Sequence, residues 1–132
     1  MIIFNNVDAL IVRQIDQFYI PIVVIGKVDG NFRNVFSVNT NNYQDSFDLT
    51  QYLIDRGHRD IAYLHSSLHY DVSIDRLEGF IGCMRSNGLA VNNERIIDSD
   101  YTVDAAHLAA KMLIAGTMPT ALNCGRKRDI NP

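Results

Sequence analysis

Arg76 is the residue whose type and position most clearly indicate possible chemistry in this sequence. It lies in the first turn of a predicted helix. A cation at the amino end of a helix opposes the helix dipole, so this placement calls for a reason beyond helix formation. One interpretation is that the guanidinium group binds the oxygens of a ligand. The other is a structural salt bridge to Asp71, Asp75 or another acid at a strand end. The pattern alone leaves both interpretations open.

Aromatic and imidazole side chains follow other predicted strands. Tyr101 comes directly after a short strand, where its ring can stack on the apolar face of a sugar or a base; covering the rim of the core is the alternative. His65 and His69 are four residues apart, but they lie in a predicted loop without a third ligand nearby. We therefore expect no metal site.

The sequence lacks the common motifs of catalysis and of phosphate binding. It contains no Gly-x-Ser-x-Gly elbow, no Gly-x-x-x-x-Gly-Lys loop and no Gly-x-Gly-x-x-Gly after a strand. Its two cysteines, Cys83 and Cys124, are far apart and form no metal-binding or redox motif. No motif in the sequence therefore assigns nucleophilic catalysis, a bound nucleotide or a metal.

Composition points to a folded, soluble protein. The chain has 132 residues, of which 47% are hydrophobic and 20% are charged, so it is long enough for a core. The net charge of -3 argues against a surface that binds nucleic acid by bulk electrostatics. No apolar run reaches the roughly 20 residues of a membrane helix, and the N-terminus has no basic segment ahead of an apolar core, so we expect neither a membrane span nor a signal peptide. We expect a cytoplasmic location.

The order of elements predicts an α/β fold, a doubly wound parallel sheet with helices on its faces. Strand and helix patterns alternate from end to end, and short β-branched runs read as strands covered on both sides. In such sheets the ligand lies at the carboxyl ends of the strands. The predicted strands are 1–4, 22–25, 35–38, 61–64, 96–97 and 119–122, the predicted helices are 7–18, 41–56, 73–87 and 102–114, and the ligand-side loops are 26–30, 39–42, 65–73 and 99–102.

Several local signals define these elements. The second helix is expected to end at Gly57 in a left-handed conformation, with His58 in a structural role at the turn. Ser73 and Thr102 are the expected amino-terminal caps of the third and fourth helices. The predicted buried stripes are Leu10, Ile11, Ile15 and Phe18 on the first helix and Tyr43, Phe47, Thr50 and Ile54 on the second.

A series of short motifs resembles the effector-binding core of LacI/GalR-type bacterial transcriptional repressors. The resemblance spans roughly residues 20–122, and the joint occurrence of the motifs is more specific than any one of them. Within the family, the segments 25–27 and 39–42 are most similar to the maltose-operon repressor branch. The motifs are Ile20 to Ile25, Val38 with Asn41, Tyr52 to Ala62 around Gly57-His58-Arg59, Ser73-x-x-Arg76-Leu77-x-Gly79-Phe80, and Pro119-Thr120-Ala121.

This resemblance implies a ligand site and a function. Arg76 matches an arginine that binds effector oxygens, Tyr101 matches an aromatic that packs on the ligand, and Thr40 stands where the family usually has an aspartate. Tyr70 and Ser73 complete the expected ligand-binding set. The implied function is a sugar-sensing effector-binding domain of a bacterial repressor of a carbohydrate operon, which is not an enzyme and needs no cofactor. Its implied fold is like that of periplasmic binding proteins, but incomplete.

The resemblance also implies a division of the chain and a set of partners. Residues 1–40 would end the amino-terminal subdomain, 41–122 would open the carboxyl-terminal subdomain, and 123–132 would be a tail foreign to the family. Operator DNA would be bound only through a helix-turn-helix domain that the chain lacks. A homodimer is expected, and no membrane partner.

Two other function classes remain. A stand-alone periplasmic-type sugar-binding protein would share the fold, but would be expected to carry a signal peptide. A flavodoxin-like enzyme or a receiver domain would need a phosphate loop or an acidic pocket at one strand end. The acids Asp55, Asp60 and Asp71 do not converge on such a pocket by pattern.

Overall fold

A computed structural model describes residues 1–4, 9–28, 30–100 and 102–125. The chain divides into two compact units, residues 1–41 and 42–132. The elements of the first unit are β1 (Ile2–Phe4), α1 (Ala9–Asp16), β2 (Ile22–Ile25) and β3 (Val35–Val38); those of the second are α2 (Asn42–Asp55), β4 (Ile61–His65), α3 (Asp71–Ser86), a 3-10 turn (Asn93–Arg95), β5 (Ile96–Asp98), α4 (Val103–Ala115) and β6 (Ala121–Cys124).

The first unit is a parallel sheet of three strands in the order β1-β2-β3. Its core is Val12 of α1 against Ile22 and Val24 of β2, all fully buried. The carboxylate of Asp16 accepts hydrogen bonds from the backbone N–H groups of Arg33 at 3.0 Å and Asn34 at 2.9 Å. The loop before β3 is thereby fixed to the end of α1.

The predicted inner face of α1 is largely wrong. Leu10 and Phe18 are 67% and 74% exposed, and Ile15 alone of the predicted stripe packs against the core. Val12 and Ile15 face the sheet, on the same side of the helix as Asp16. The hydrogen bonds that the Asp16 carboxylate accepts from the loop fix how α1 is rotated about its own axis. Apolar spacing alone does not reveal this rotation.

The second unit is a layered α/β structure built on β4. Its three strands are parallel in the order β5-β4-β6, and every residue of β4 is buried. Ile61 and Tyr63 face α2 and α3, whereas Ala62 and Leu64 face α4. Helices on both faces of a parallel sheet confirm the predicted α/β fold class. Among the described helices, none has the length and apolar character needed to cross a bilayer.

The end of α2 confirms the predicted stop at Gly57. The φ of Gly57 is 91°, its N–H donates to the carbonyl of Ile54, and the N–H of His58 donates to the carbonyl of Leu53. These two bonds form a Schellman motif. Nη1 of Arg59 donates to the Ile54 carbonyl at 2.7 Å, which places positive charge at the carbonyl end of the helix.

The cap prediction is correct for α4 and wrong for α3. The hydroxyl of Thr102 accepts from the N–H of Ala105 at 3.2 Å. The cap residue of α3 is Tyr70, without a side-chain cap bond, and Ser73 lies inside the first turn. Asp71 begins α3 and places a carboxylate at its amino end, where the dipole favours it. The Ser73 hydroxyl does not cap the helix and instead forms a hydrogen bond with that of Ser66 in the preceding loop.

The last strand runs further than predicted. β6 ends at Cys124, and its register pairs Ala121 with Ile61 and Cys124 with Leu64. Asn123 is only 2% exposed. The sequence pattern assigns Asn123 and Cys124 to a polar tail, but both are strand residues. The buried amide of Asn123 is tolerated in the strand because it donates a hydrogen bond to Thr50. Residues 126–132 of that tail lie outside the described part of the chain.

Candidate ligand-binding site

A pocket of about 240 Å³ lies in the second unit, where β6 ends. The first turns of α2 form one wall, and the second turn of α3 contributes its arginine. This is the carboxyl side of a parallel strand, where ligands of open α/β sheets bind. The residues that line it are Asp45, Ser46, Leu49, Arg76, Asn123, Cys124 and Gly125.

Arg76 is held in this pocket by two neutral acceptors. Its Nε donates to Oδ1 of Asn42 at 2.8 Å, and its Nη1 donates to the carbonyl of Gly125 at 2.7 Å. Within the described ranges Arg76 pairs with no acid, so the predicted alternative of a salt bridge is wrong there. Nη2 has no hydrogen-bond partner among the described residues. The charged group is positioned without being neutralised by a carboxylate.

A stripe of polar residues on α2 faces the pocket and β6. Asn42, Ser46 and Thr50 follow one another at intervals of four residues, and all three are buried. The hydroxyl of Thr50 donates to the Ser46 carbonyl at 2.7 Å and accepts from Nδ2 of Asn123 at 3.0 Å. The predicted buried stripe of this helix included Thr50, which is buried, but it missed Asn42 and Ser46. Their helical spacing was the available signal.

Tyr63 on β4 is a buried residue whose hydroxyl lies next to Gly125 of the same pocket. The Tyr63 ring stacks on that of Phe80 with centroids 4.8 Å apart. The Tyr63 side chain is fully buried. Burial raises the pKa of Tyr63 to about 12, while its neighbour Ser46 and the charge of Arg76 lower it to a smaller extent. Neither the Tyr63 hydroxyl nor the Ser46 hydroxyl meets hydrogen-bond geometry with a described residue. Ser46 lines the pocket, and the Tyr63 hydroxyl lies beside Gly125, which also lines it.

Gly125 is required by close packing at the end of β6. A Cβ at this position would run into the hydroxyl of Tyr63. Its N–H donates to the Leu64 carbonyl at 2.9 Å, and its own carbonyl accepts from Arg76. Beside it, burial raises the pKa of the Cys124 thiol, which disfavours a reactive thiolate. Gly125 is not predicted from the sequence, because no pattern among the neighbouring residues indicates its contact with the distant Tyr63.

The other predicted site residues lie elsewhere or outside the described ranges. Ser73 is buried, with its hydroxyl 2.9 Å from that of Ser66. Tyr70 is 40% exposed at the start of α3, and Thr40 is exposed in the first unit. Tyr101 is not among the described residues. Of the five, Arg76 alone lines the pocket as described, and the ligand role of each stays a prediction.

The histidines form no cluster with other metal ligands. His65 ends β4, and its Nδ1 lies 3.0 Å from the Ser66 carbonyl and 4.0 Å from Oδ1 of Asp98. His69 is exposed in the loop that follows. Groups of three or more potential metal ligands are absent from residues 1–4, 9–28, 30–100 and 102–125.

Comparison with known proteins identifies a family and several relatives. Residues 50–129 match the model of the periplasmic binding protein-like domain. The chain is 32% identical over 121 residues to the HTH-type transcriptional repressor PurR of Erwinia tasmaniensis, covering 89% of this chain and 35% of that protein. It is 30% identical over 123 residues to catabolite control protein A of Priestia megaterium, covering 92% of this chain and 37% of that protein.

A solved structure extends the similarity to three dimensions. A sugar-binding transcriptional regulator of the LacI family from Escherichia coli, in complex with phosphate, matches with a TM-score of 0.78 and 28% identity. The match covers 93% of this chain and 45% of that one. Of PurR and catabolite control protein A, the two relatives compared by sequence, the chain spans only about a third of the length. These relatives are transcriptional regulators, in agreement with the prediction that the chain is not an enzyme.

Proposed function

Because the chain belongs to the periplasmic binding protein-like domain family and corresponds to part of the effector-binding domain of LacI-family regulators, we propose that it senses a sugar. In this proposal it is the effector-binding part of a bacterial transcriptional repressor of a carbohydrate operon. The resemblance of the motif around Arg76 to effector-binding arginines supports the same function.

One observation carries the proposal: Arg76 is fixed in a pocket with its Nη2 uncommitted among the described residues. The carboxylate of Asp45 supplies an acceptor in the same pocket, and Leu49 supplies an apolar surface. A sugar presents hydroxyl groups to donors and acceptors and C–H groups to apolar surface. Small-ligand sites combine a few polar groups with apolar walls in this way.

The partners and location of the whole protein belong to the proposal too. We propose that operator DNA is bound by a separate helix-turn-helix domain, that the protein is a homodimer, and that it acts in the cytoplasm. The relatives named above are PurR and catabolite control protein A, so they support a regulator without singling out maltose. We therefore propose a sugar effector and treat maltose as one candidate among several.

A ligand screen of the 132-residue chain by ¹H–¹⁵N NMR tests this proposal. Maltose, cellobiose, glucose, free purine bases and inorganic phosphate are titrated separately into the labelled protein. We expect saturable shifts with at least one sugar, centred on Ser46, Arg76 and Gly125. Saturable shifts with purines or phosphate alone would overturn the sugar assignment, and no saturable shifts with any compound would overturn the sensor function.

A further inference from the structure

We propose that Asn42 is a positioning residue that fixes the guanidinium of Arg76 so that an effector meets it through the N–H groups left on Nη1 and Nη2. This inference rests on the proposed function, because it concerns how the effector is recognised. It adds a residue that the sequence analysis did not place in the site. It also predicts which nitrogens of the arginine a ligand contacts.

The geometry of Arg76 is fixed at two of its three nitrogens. Nε is bonded to Asn42 at 2.8 Å and Nη1 to the Gly125 carbonyl at 2.7 Å. A guanidinium is planar and rigid, so two bonded nitrogens define both its plane and its rotation in that plane. Arg76 has no third hydrogen-bond partner among the described residues.

Asn42 is suited to this role by its place in the fold. It is the first residue of α2 and is only 2% exposed, so its side chain is confined. Its contact joins the start of α2 to the start of α3, while Gly125 joins the same guanidinium to the end of β6. An arginine held by these contacts loses less conformational freedom when a ligand binds.

The arrangement has a consequence for the orientation of a ligand. Carboxylates and phosphates bind arginine best through two parallel N–H···O bonds from two nitrogens. With Nε bonded to Asn42, the mode that uses Nε and Nη2 requires breaking that bond. Nη1 carries two N–H groups, so it keeps one beside its bond to Gly125. Asn42 therefore directs a ligand, hydroxyl or anion, to the Nη1 and Nη2 end of Arg76.

Hydrogen exchange of the Arg76 Nε–H group tests the positioning role without any ligand. The signal is assigned by its loss in Arg76→Met, and Arg85, exposed on the same helix, serves as the internal control. We expect slow exchange of the Arg76 signal in the wild type, at least tenfold faster exchange in Asn42→Leu, and slow exchange again in Asn42→Asp, which keeps an acceptor oxygen. Asn42→Ala replaces Asn42→Leu if the larger side chain prevents folding. Equal exchange in the wild type and the variant without an acceptor would overturn the inference.

Titration of the same variants with the sugar found in the screen links positioning to binding. We expect about tenfold weaker binding in Asn42→Leu and recovery in Asn42→Asp, whereas a purely structural role would lower the melting temperature and leave the affinity of the folded protein unchanged. Unchanged affinity would overturn the role of Asn42 in recognition. If the wild type binds no sugar, the proposed function fails, while the exchange data still decide whether Asn42 positions Arg76.

Discussion

Nδ2 of Asn123 on β6 donates a hydrogen bond to the hydroxyl of Thr50 on α2 at 3.0 Å, across 73 positions of sequence. Both residues are buried. Through this bond the polar stripe of α2 continues into the sheet, beside the pocket that holds Arg76. A buried amide is tolerated in the strand because it has this partner.

A double-mutant cycle at these two residues is expected to show strong coupling. Thr50→Val removes the acceptor and leaves the buried amide of Asn123 unpaired, which costs roughly 1–3 kcal/mol of unfolding free energy. Asn123→Leu combined with Thr50→Val removes both polar groups, and we expect the pair to be less destabilising than the sum of the single changes. Urea unfolding monitored by circular dichroism measures all four proteins. Additive effects would contradict the bond as an energetic contact.

Gly79 and Gly82 of α3 offer a matched pair of substitutions. A Cβ at Gly79 would run into the backbone carbonyl of Tyr43, whereas a Cβ at Gly82 would meet only the end of the Tyr43 side chain, which is 39% exposed. We expect Gly79→Ala to destabilise the protein by roughly 1–3 kcal/mol, since the backbones of α2 and α3 must separate. Gly82→Ala is expected to be neutral or up to about 1 kcal/mol stabilising, because alanine favours the helix. Thermal unfolding of both variants distinguishes the two sites; equal effects would be inconsistent with the close approach of α2 to Gly79.

Tyr63 is expected to make stability depend on alkaline pH. Burial raises its pKa from 10.0 to about 12, so between these values the unfolded chain loses the phenolic proton while the folded protein retains it. Stability from this group is complete below pH 10 and is lost as the pH rises toward 12, by about 2 kcal/mol. Tyr63→Phe should remove this part of the alkaline loss.

At neutral pH the same substitution is expected to be tolerated. The Tyr63 hydroxyl is buried without a hydrogen-bond partner among the described residues, so its removal leaves no new unpaired group in that part of the chain. We expect Tyr63→Phe to equal the wild type or exceed it by about 1 kcal/mol at pH 7. Urea denaturation at pH 7 gives the first quantity, and a series of measurements between pH 10 and pH 12 gives the alkaline loss. A variant that loses stability with pH as steeply as the wild type would exclude Tyr63 as the titrating group.

The sequence predicts the strands and helix ends of this protein well because those signals are local. The continuous apolar run of β4 and the left-handed Gly57 depend on neighbours a few residues away, and both are as predicted. The start of α3 was misplaced at Ser73, because Asp71 supplies the amino-terminal charge and Ser73 bonds Ser66 instead. A local pattern cannot distinguish these two uses of a serine.

The candidate site was predicted only in part because its geometry depends on distant contacts. Arg76 stood out because the predicted helix start at Ser73 places its charge in the first turn, against the dipole; α3 begins at Asp71, so Arg76 lies in the second turn. Its partners Asn42 and Gly125 are 34 and 49 positions away, and nothing near either residue marks the contact. The prediction for the inner face of α1 failed for the same reason. The backbone N–H groups of Arg33 and Asn34 donate to the Asp16 carboxylate, and these distant contacts orient the helix.

Sugar affinity of Arg76→Met, compared with that of Arg85→Met, tests the central claim most directly. Both changes remove one positive charge from α3, but Arg85 is exposed in the last turn of the helix and away from the pocket. A hydrogen bond to a charged group contributes roughly 1.5–3 kcal/mol, so we predict at least about tenfold weaker binding for Arg76→Met and wild-type affinity for Arg85→Met. Equal affinities of two folded variants for the sugar, measured by calorimetric titration, would contradict an effector site at Arg76.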